Sequence, residues 1–167
     1  MAASILLHQE LAGEPSMFQA AVFIGSPVPF SKRTDVGIDA RSYFGVDPNP
    51  PNPFGRPTTV PAHLVTDPAY LRNPAQLDVS GDDAEATLEG VQYQMFHPST
   101  DTVRLGIPTG HVYGSRDKWF PHSKDLAALC RGDVRTVFQH CGGHEVPRGC
   151  EEELCDLIET VFSKIRR

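Results

Sequence analysis

Two residues in the C-terminal third of this 167-residue sequence have the types and spacing for proton-transfer chemistry: Asp117 and His144. Asp117 follows Gly110-His-Val-Tyr-Gly114, a short segment that reads as a strand. His144 follows a second such segment, Arg135-Thr-Val-Phe-Gln-His140. In an open parallel α/β sheet, reactive groups occupy the loops that leave the carboxyl ends of the strands. Neighbouring strands lie about 4.8 Å apart, so two such loops bring their side chains together above one sheet edge. An aspartate that accepts the proton of one imidazole nitrogen leaves the other nitrogen free to act as a general base. Gly142 and Gly143, just before the histidine, offer the positive-φ turn that folds it back over the sheet. Alone, an aspartate in such a loop more often caps a turn or a helix. The weight lies in the pair, placed in consecutive strand-end loops in the order Asp then His.

Other constellations are weaker. His140, Cys141, His144, Cys150 and Cys155 are all zinc-ligand types, but they contain no Cys-x-x-Cys and Cys155 falls on the final helix, so no metal is assigned. Pro48-x-x-Pro51 and Pro50-x-x-Pro53 match a polyproline docking pattern that is common in loops. The 4 cysteines are too few for a disulfide scaffold and read as free thiols in a reducing, cytoplasmic setting. With 15 Lys plus Arg against 21 Asp plus Glu, the net charge is −6, which argues against nucleic-acid partners and against a polybasic membrane-surface role. No apolar run approaches the ~20 residues of a membrane span. The opening Met-Ala-Ala-Ser-Ile-Leu-Leu-His has no positive residue and is not a secretory signal.

The elements that must position the pair follow from hydrophobic periodicity. Residues 2–12 read as a helix apolar on most faces, hence buried, stopped by Gly13 and starting without a cap. Phe18 to Gly25 is a near-continuous apolar run, the pattern of a strand buried on both faces. From Phe30 to about Asp101 periodicity is poor. Asp47 to Pro61 is dense in proline, which predicts neither helix nor strand there and high mobility. A short helix is expected over 84–95. Ser123 is placed as the cap of a helix running to about Arg131. The last helix is expected over 151–166, with Leu154, Leu157, Ile158, Val161, Phe162 and Ile165 on its buried face. Strands alternating with helices specify a single α/β domain built on a parallel sheet.

Four segments together resemble the FSH family of serine hydrolases, α/β-hydrolases common in fungi that include esterases and polyketide-releasing thioesterases. They are Ala-Ala-Ser-Ile-Leu-Leu, Ala-Val-Phe-Ile-Gly-Ser, Ile-Pro-Thr-Gly-His-Val-Tyr-Gly-Ser-Arg-Asp and His-Cys-Gly-Gly-His-Glu-Val-Pro. The resemblance implies a partial α/β-hydrolase fold with parallel strands, flanking helices and residues 31–101 as a variable, lid-like insertion. It implies that Asp117 is the triad acid and His144 the base. It further implies a small-molecule ester or thioester as substrate, including a carrier-bound acyl chain, and no metal or organic cofactor. Trp119, Phe120 and Phe30 are candidates for an apolar pocket or for ordinary packing.

The sequence contains no Gly-x-Ser-x-Gly, the elbow that presents the nucleophile. On this resemblance residues 2–12 correspond to the helix that follows the elbow, and the match covers roughly the C-terminal two-thirds of such an enzyme. No other residue substitutes well. Ser26 is followed by Pro27, which has no N–H for an oxyanion; Ser115 shares the loop of Asp117; Cys141 shares the turn of His144. The alternative is a hydrolase remnant that binds a ligand or partner without catalysis.

Overall fold

Strand β5 (Thr109–Gly114) is the axis around which the chemistry-bearing part is built. It pairs in parallel with β1 (Ala21–Ile24) on one side and with β6 (Arg135–His140) on the other, giving the order β1-β5-β6. The computed structural model describes residues 2–44, 46–65 and 93–165. It divides into two units, one of residues 1–28 and 102–167 that holds this sheet, the other of residues 29–101.

The first unit opens with helix α1 (Ala2–Ala12). Gly13 stops it at φ +66°, while the N–H groups of Glu14 and Gly13 close onto the carbonyls of Gln9 and Glu10 at 3.0 and 3.1 Å. The helix buries one stripe, Ala3, Leu6 and Leu7, rather than most faces, and Ile5 is exposed. One turn further along that stripe, the Glu10 carboxylate accepts the Gly106 N–H at 2.7 Å. Small alanines elsewhere on the surface carry little apolar area, which is why an apolar-looking helix can present them to water.

Helix α2 (Phe120–Ala128) packs on β5, and helix α3 (Glu151–Ser163) packs on β5 and β6. Val112, Leu157 and Val161 form a small buried core with Ala20, Phe138 and Leu154 against it. Register puts Val22 and Ile24 of β1 beside Gly110 and Val112, yet both are exposed. The expectation of a strand buried on both faces is therefore corrected. Among the described residues β1 pairs on one side only, with β5, and α3 packs on β5 and β6. The face of α3 is narrower than its periodicity indicated, with Ile158 and Phe162 exposed and the helix ending at Ser163. Lys164, just past that end, donates to the Arg135 carbonyl and the Thr136 hydroxyl at 3.1 and 3.0 Å, tying the helix to the start of β6.

Helix α2 differs from expectation at both ends. It starts at Phe120 with Pro121 in its first turn, a position proline tolerates because the N–H there has no helical acceptor. Ser123 is consequently inside the helix, and its hydroxyl donates to the Ser26 carbonyl at 3.0 Å instead of capping. The helix gives way at Ala128 rather than Arg131.

In the second unit, β2 (Phe30–Ser31) and β3 (Ile38–Asp39) flank β4 (Gln94–Met95) as an antiparallel sheet. The helix expected over 84–95 lies mostly outside the described residues, and its last two, Gln94 and Met95, are strand. Residues 47–61 contain neither helix nor strand, as expected, and hydrogen bonds tie them to the rest of the unit. The Pro57 carbonyl accepts the Asp39 N–H at 2.8 Å, Asn52 donates to the Thr34 carbonyl at 2.9 Å, and Arg56 donates to the carbonyls of Gly37 and Thr100 at 2.8 and 3.0 Å. Proline removes donors but keeps its carbonyl, so a proline-rich strap can still be held as an acceptor. Among the described residues, no helix is long and apolar enough to cross a membrane.

His111 sits in the centre of β5, 1% exposed, its Nε2 3.2 Å from the Thr109 hydroxyl and its ring 5.3 Å from that of Phe23. Burial, with a smaller contribution from Arg135, pushes its pKa down to about 4. The unfolded chain binds this proton near pH 6.5, so folding stability is complete above that value and declines as pH falls toward 4. A shift of this size corresponds to a loss on the order of 3 kcal/mol. Chemical denaturation between pH 7 and 4 is expected to show that decline, and His111→Phe is expected to flatten it. An unchanged slope in the variant would place the acid sensitivity elsewhere.

Candidate active site

Past the carboxyl ends of β5 and β6, the loops that leave the two strands continue to hold each other. The Ser115 N–H donates to the His140 carbonyl at 2.8 Å, extending the ladder beyond the last strand pair. The Arg116 N–H donates to the Gly142 carbonyl at 3.0 Å, and its guanidinium Nε to the Cys141 carbonyl at 2.6 Å. This contact depends on Gly114. A Cβ there would stand 2.3 Å from the carbonyl oxygens of both Gly142 and Gly143, well inside van der Waals contact. The expected positive-φ turn at Gly142 and Gly143 does not occur; neither has positive φ. What the loop needs instead is a neighbour without a side chain.

Laced together in this way, the loops bring Asp117 and His144 into contact. His144 Nδ1 lies 2.9 Å from Asp117 Oδ2. A carboxylate only accepts, so this geometry assigns the proton to Nδ1 and leaves Nε2 as the free base nitrogen. The other carboxylate oxygen, Oδ1, accepts the Trp119 N–H at 2.9 Å, and the Asp117 carbonyl accepts the Phe120 N–H at 3.0 Å. Asp117 therefore serves as a turn residue at the entrance to α2 and as the partner of the imidazole, one oxygen for each. Its side chain is 1% exposed whereas that of His144 is 61% exposed, so a buried acceptor orients an accessible imidazole.

The aromatic residues near the acid are packed. Trp119 meets His122 edge-on at 5.0 Å and Phe120 meets Tyr113 edge-on at 5.6 Å. Phe30 lies in the second unit, its ring 5.7 Å from Phe44. Among the described residues, no three of His140, Cys141, His144, Cys150 and Cys155 bring ligand atoms within 4.8 Å of one another. His140 uses Nδ1 to accept the Gly142 N–H at 3.1 Å. All four cysteines are free, and the Cys130 thiol is pushed up to about 11 by burial, which suppresses its thiolate. Ser26, considered as a nucleophile, donates weakly to the Ile24 carbonyl at 3.4 Å.

The profile of the family described as serine hydrolase (FSH1) matches residues 10–153, which include both loops. The chain belongs to the FSH1 serine hydrolase family. The three parallel strands and their flanking helices are accordingly part of an α/β-hydrolase fold. This FSH1-family chain is also similar to the esterase FPY3 of Fusarium mangiferae, at 34% identity over 57 residues. The matched stretch is 34% of this chain and 26% of that esterase, so the chain spans about a quarter of its relative. No solved structure matches.

The glycines at the strand ends are the feature that reading the sequence missed. Gly25 directly follows β1 and Gly114 ends β5, and glycine recurring where a strand delivers the chain to a reactive loop was the available signal. Gly114→Ala is expected to destabilise the fold by roughly 1–3 kcal/mol, the range for overpacking a close contact. It should also shift the amide resonances of residues 141–144 in NMR spectra. A stable variant with those resonances in place would show that the two loops do not need this close approach.

Proposed function

We propose that this chain carries the acid and base of a serine hydrolase acting on carboxylic esters or thioesters, with the nucleophile supplied by a segment outside these residues. The observation that carries this reading is the Asp117–His144 pair, a buried carboxylate 2.9 Å from an accessible imidazole at the carboxyl edge of a parallel sheet in an FSH1-family chain. In the reaction, His144 Nε2 takes the proton of the attacking serine hydroxyl as its oxygen bonds to the carbonyl carbon. The tetrahedral intermediate collapses, the carbon–oxygen or carbon–sulfur bond breaks, and the imidazolium returns the proton to the departing alcohol or thiol. Water then attacks the acyl-enzyme, His144 takes its proton, and the serine leaves with that proton restored. Asp117 holds the Nδ1–H tautomer and stabilises the imidazolium in both halves.

The absence of Gly-x-Ser-x-Gly also favours a second reading, a non-catalytic relative that binds through the same edge. The two differ in what a nucleophile would restore. A chimaera carrying the Gly-x-Ser-x-Gly segment of a family esterase ahead of residue 2 is expected to hydrolyse p-nitrophenyl esters. Its kcat should fall by about 10⁴ in Asp117→Asn and on the order of 10⁶ in His144→Ala, the losses typical of triad members. Folded but inactive chimaeras, or activity indifferent to His144, favour the binding reading.

The 167-residue chain by itself is expected to show no ester turnover and no covalent labelling by a fluorophosphonate. Labelling of one serine, with hydrolysis lost in His144→Ala, would place the nucleophile within these residues.

A further inference from the structure

We propose that Gly25 is a positioning residue for the His144 imidazole, its bare Cα forming the floor on which the Nδ1 edge of the ring rests. This rests on the reading of Asp117 and His144 as acid and base. Gly25 is buried at the carboxyl end of β1, and its N–H donates to the Val112 carbonyl at 2.8 Å, so its backbone is held by the sheet. Its φ is +55°, in the left-handed region. A Cβ at this position would stand 3.0 Å from both Cε1 and Nδ1 of His144 and 3.4 Å from Asp117 Oδ2. The position is therefore restricted twice, by its backbone conformation and by the ring edge that bonds the acid.

The imidazole is more than half exposed, so few contacts fix its orientation. Asp117 holds it from the β5 side and Gly25 limits it from the β1 side. A methyl group at Gly25 would press to 3.0 Å from the atom that makes the 2.9 Å bond. Asp117 is not free to follow a displaced ring, because its side chain is buried and its Oδ1 is committed to the Trp119 N–H. The imidazole has to yield by a few tenths of an ångström, and the Nδ1–Oδ2 bond is the contact this strains.

Gly13 supplies the control. It has φ +66° with nothing within 4 Å of the position a Cβ would take, so Gly13→Ala carries the same kind of backbone strain without meeting a neighbour. The readout is the tautomer of neutral His144, taken from its two ring ¹⁵N shifts in long-range ¹H–¹⁵N spectra of the 167-residue chain. The parent and Gly13→Ala are expected to hold the Nδ1–H form. Gly25→Ala is expected to lose it, with shifts moving toward the mixture of an unrestrained histidine, as in Asp117→Ala. Gly25→Ala with the parent's shifts overturns the inference. A parent without the Nδ1–H form overturns the acid–base pairing and the role of Gly25 with it.

Thermal unfolding in a His144→Ala background covers a variant too unstable for spectroscopy. Gly25→Ala should lower Tm less there than in the parent, or fold only there. Equal losses in both backgrounds, or failure to fold in both while Gly13→Ala folds, overturn the inference.

Discussion

The parallel pairing of β5 with β6 does not end where the strands end, and the candidate site depends on that continuation. Two hydrogen bonds, from Ser115 to the last residue of β6 and from Arg116 to the loop after it, carry the ladder past its last regular pair. They are possible because Gly114 lets the backbone of Gly142 and Gly143 approach where any side chain would collide. Once the loops are held edge to edge, Asp117 and His144 have little freedom to miss one another. The geometry of the candidate pair is a consequence of backbone pairing, with the side chains completing what the main chain has already set.

The division of labour between the two side chains follows from burial. Asp117 is enclosed and accepts from two donors, a backbone N–H and the imidazole, which fixes its carboxylate plane. His144 is open to solvent over more than half of its side chain. A buried acceptor behind an accessible imidazole is an arrangement in which the orientation of the ring is controlled from within. The other histidine of this sheet, His111, lies in the opposite regime. It is buried within β5 against Phe23 and Thr109, kept neutral by its surroundings, and contributes packing at the expense of acid tolerance.

The second unit solves a different problem, that of ordering a proline-rich segment with few large apolar side chains. It uses buried carboxylates as anchors. Asp39 is enclosed and bonded by Arg41 at 2.6 Å, and although burial pushes its pKa upward, the Arg41 hydrogen bonds hold it below the usual carboxylate range. Arg41 also donates to the Pro50 carbonyl. Asp101 accepts the N–H groups of Gly37 and His97 together with the Arg56 guanidinium at 2.6 Å. Each arginine thus links a buried acid to main-chain carbonyl groups of the same unit, a use suited to its several donors in one fixed plane.

The sequence by itself determined the order of elements around the site. Helix α1 and strand β6 fall at their expected bounds, because Gly13 and the loop glycines after His140 punctuate strong periodic segments. It also singled out Asp117 and His144, since chain order and strand-end placement are local properties. Tertiary structure alone decided how much of each face is covered. Val22, Ile24, Ile158 and Phe162 are apolar and periodic yet exposed, because covering them depends on which neighbour lies alongside and not on their own spacing. The start of α2 moved for a similar reason. Ser123 looked like a cap until the Ser26 carbonyl, nearly a hundred residues earlier, offered its hydroxyl an acceptor. The glycine contacts at Gly25 and Gly114 belong to the same class, since a missing side chain acquires meaning only from the atoms that occupy its space.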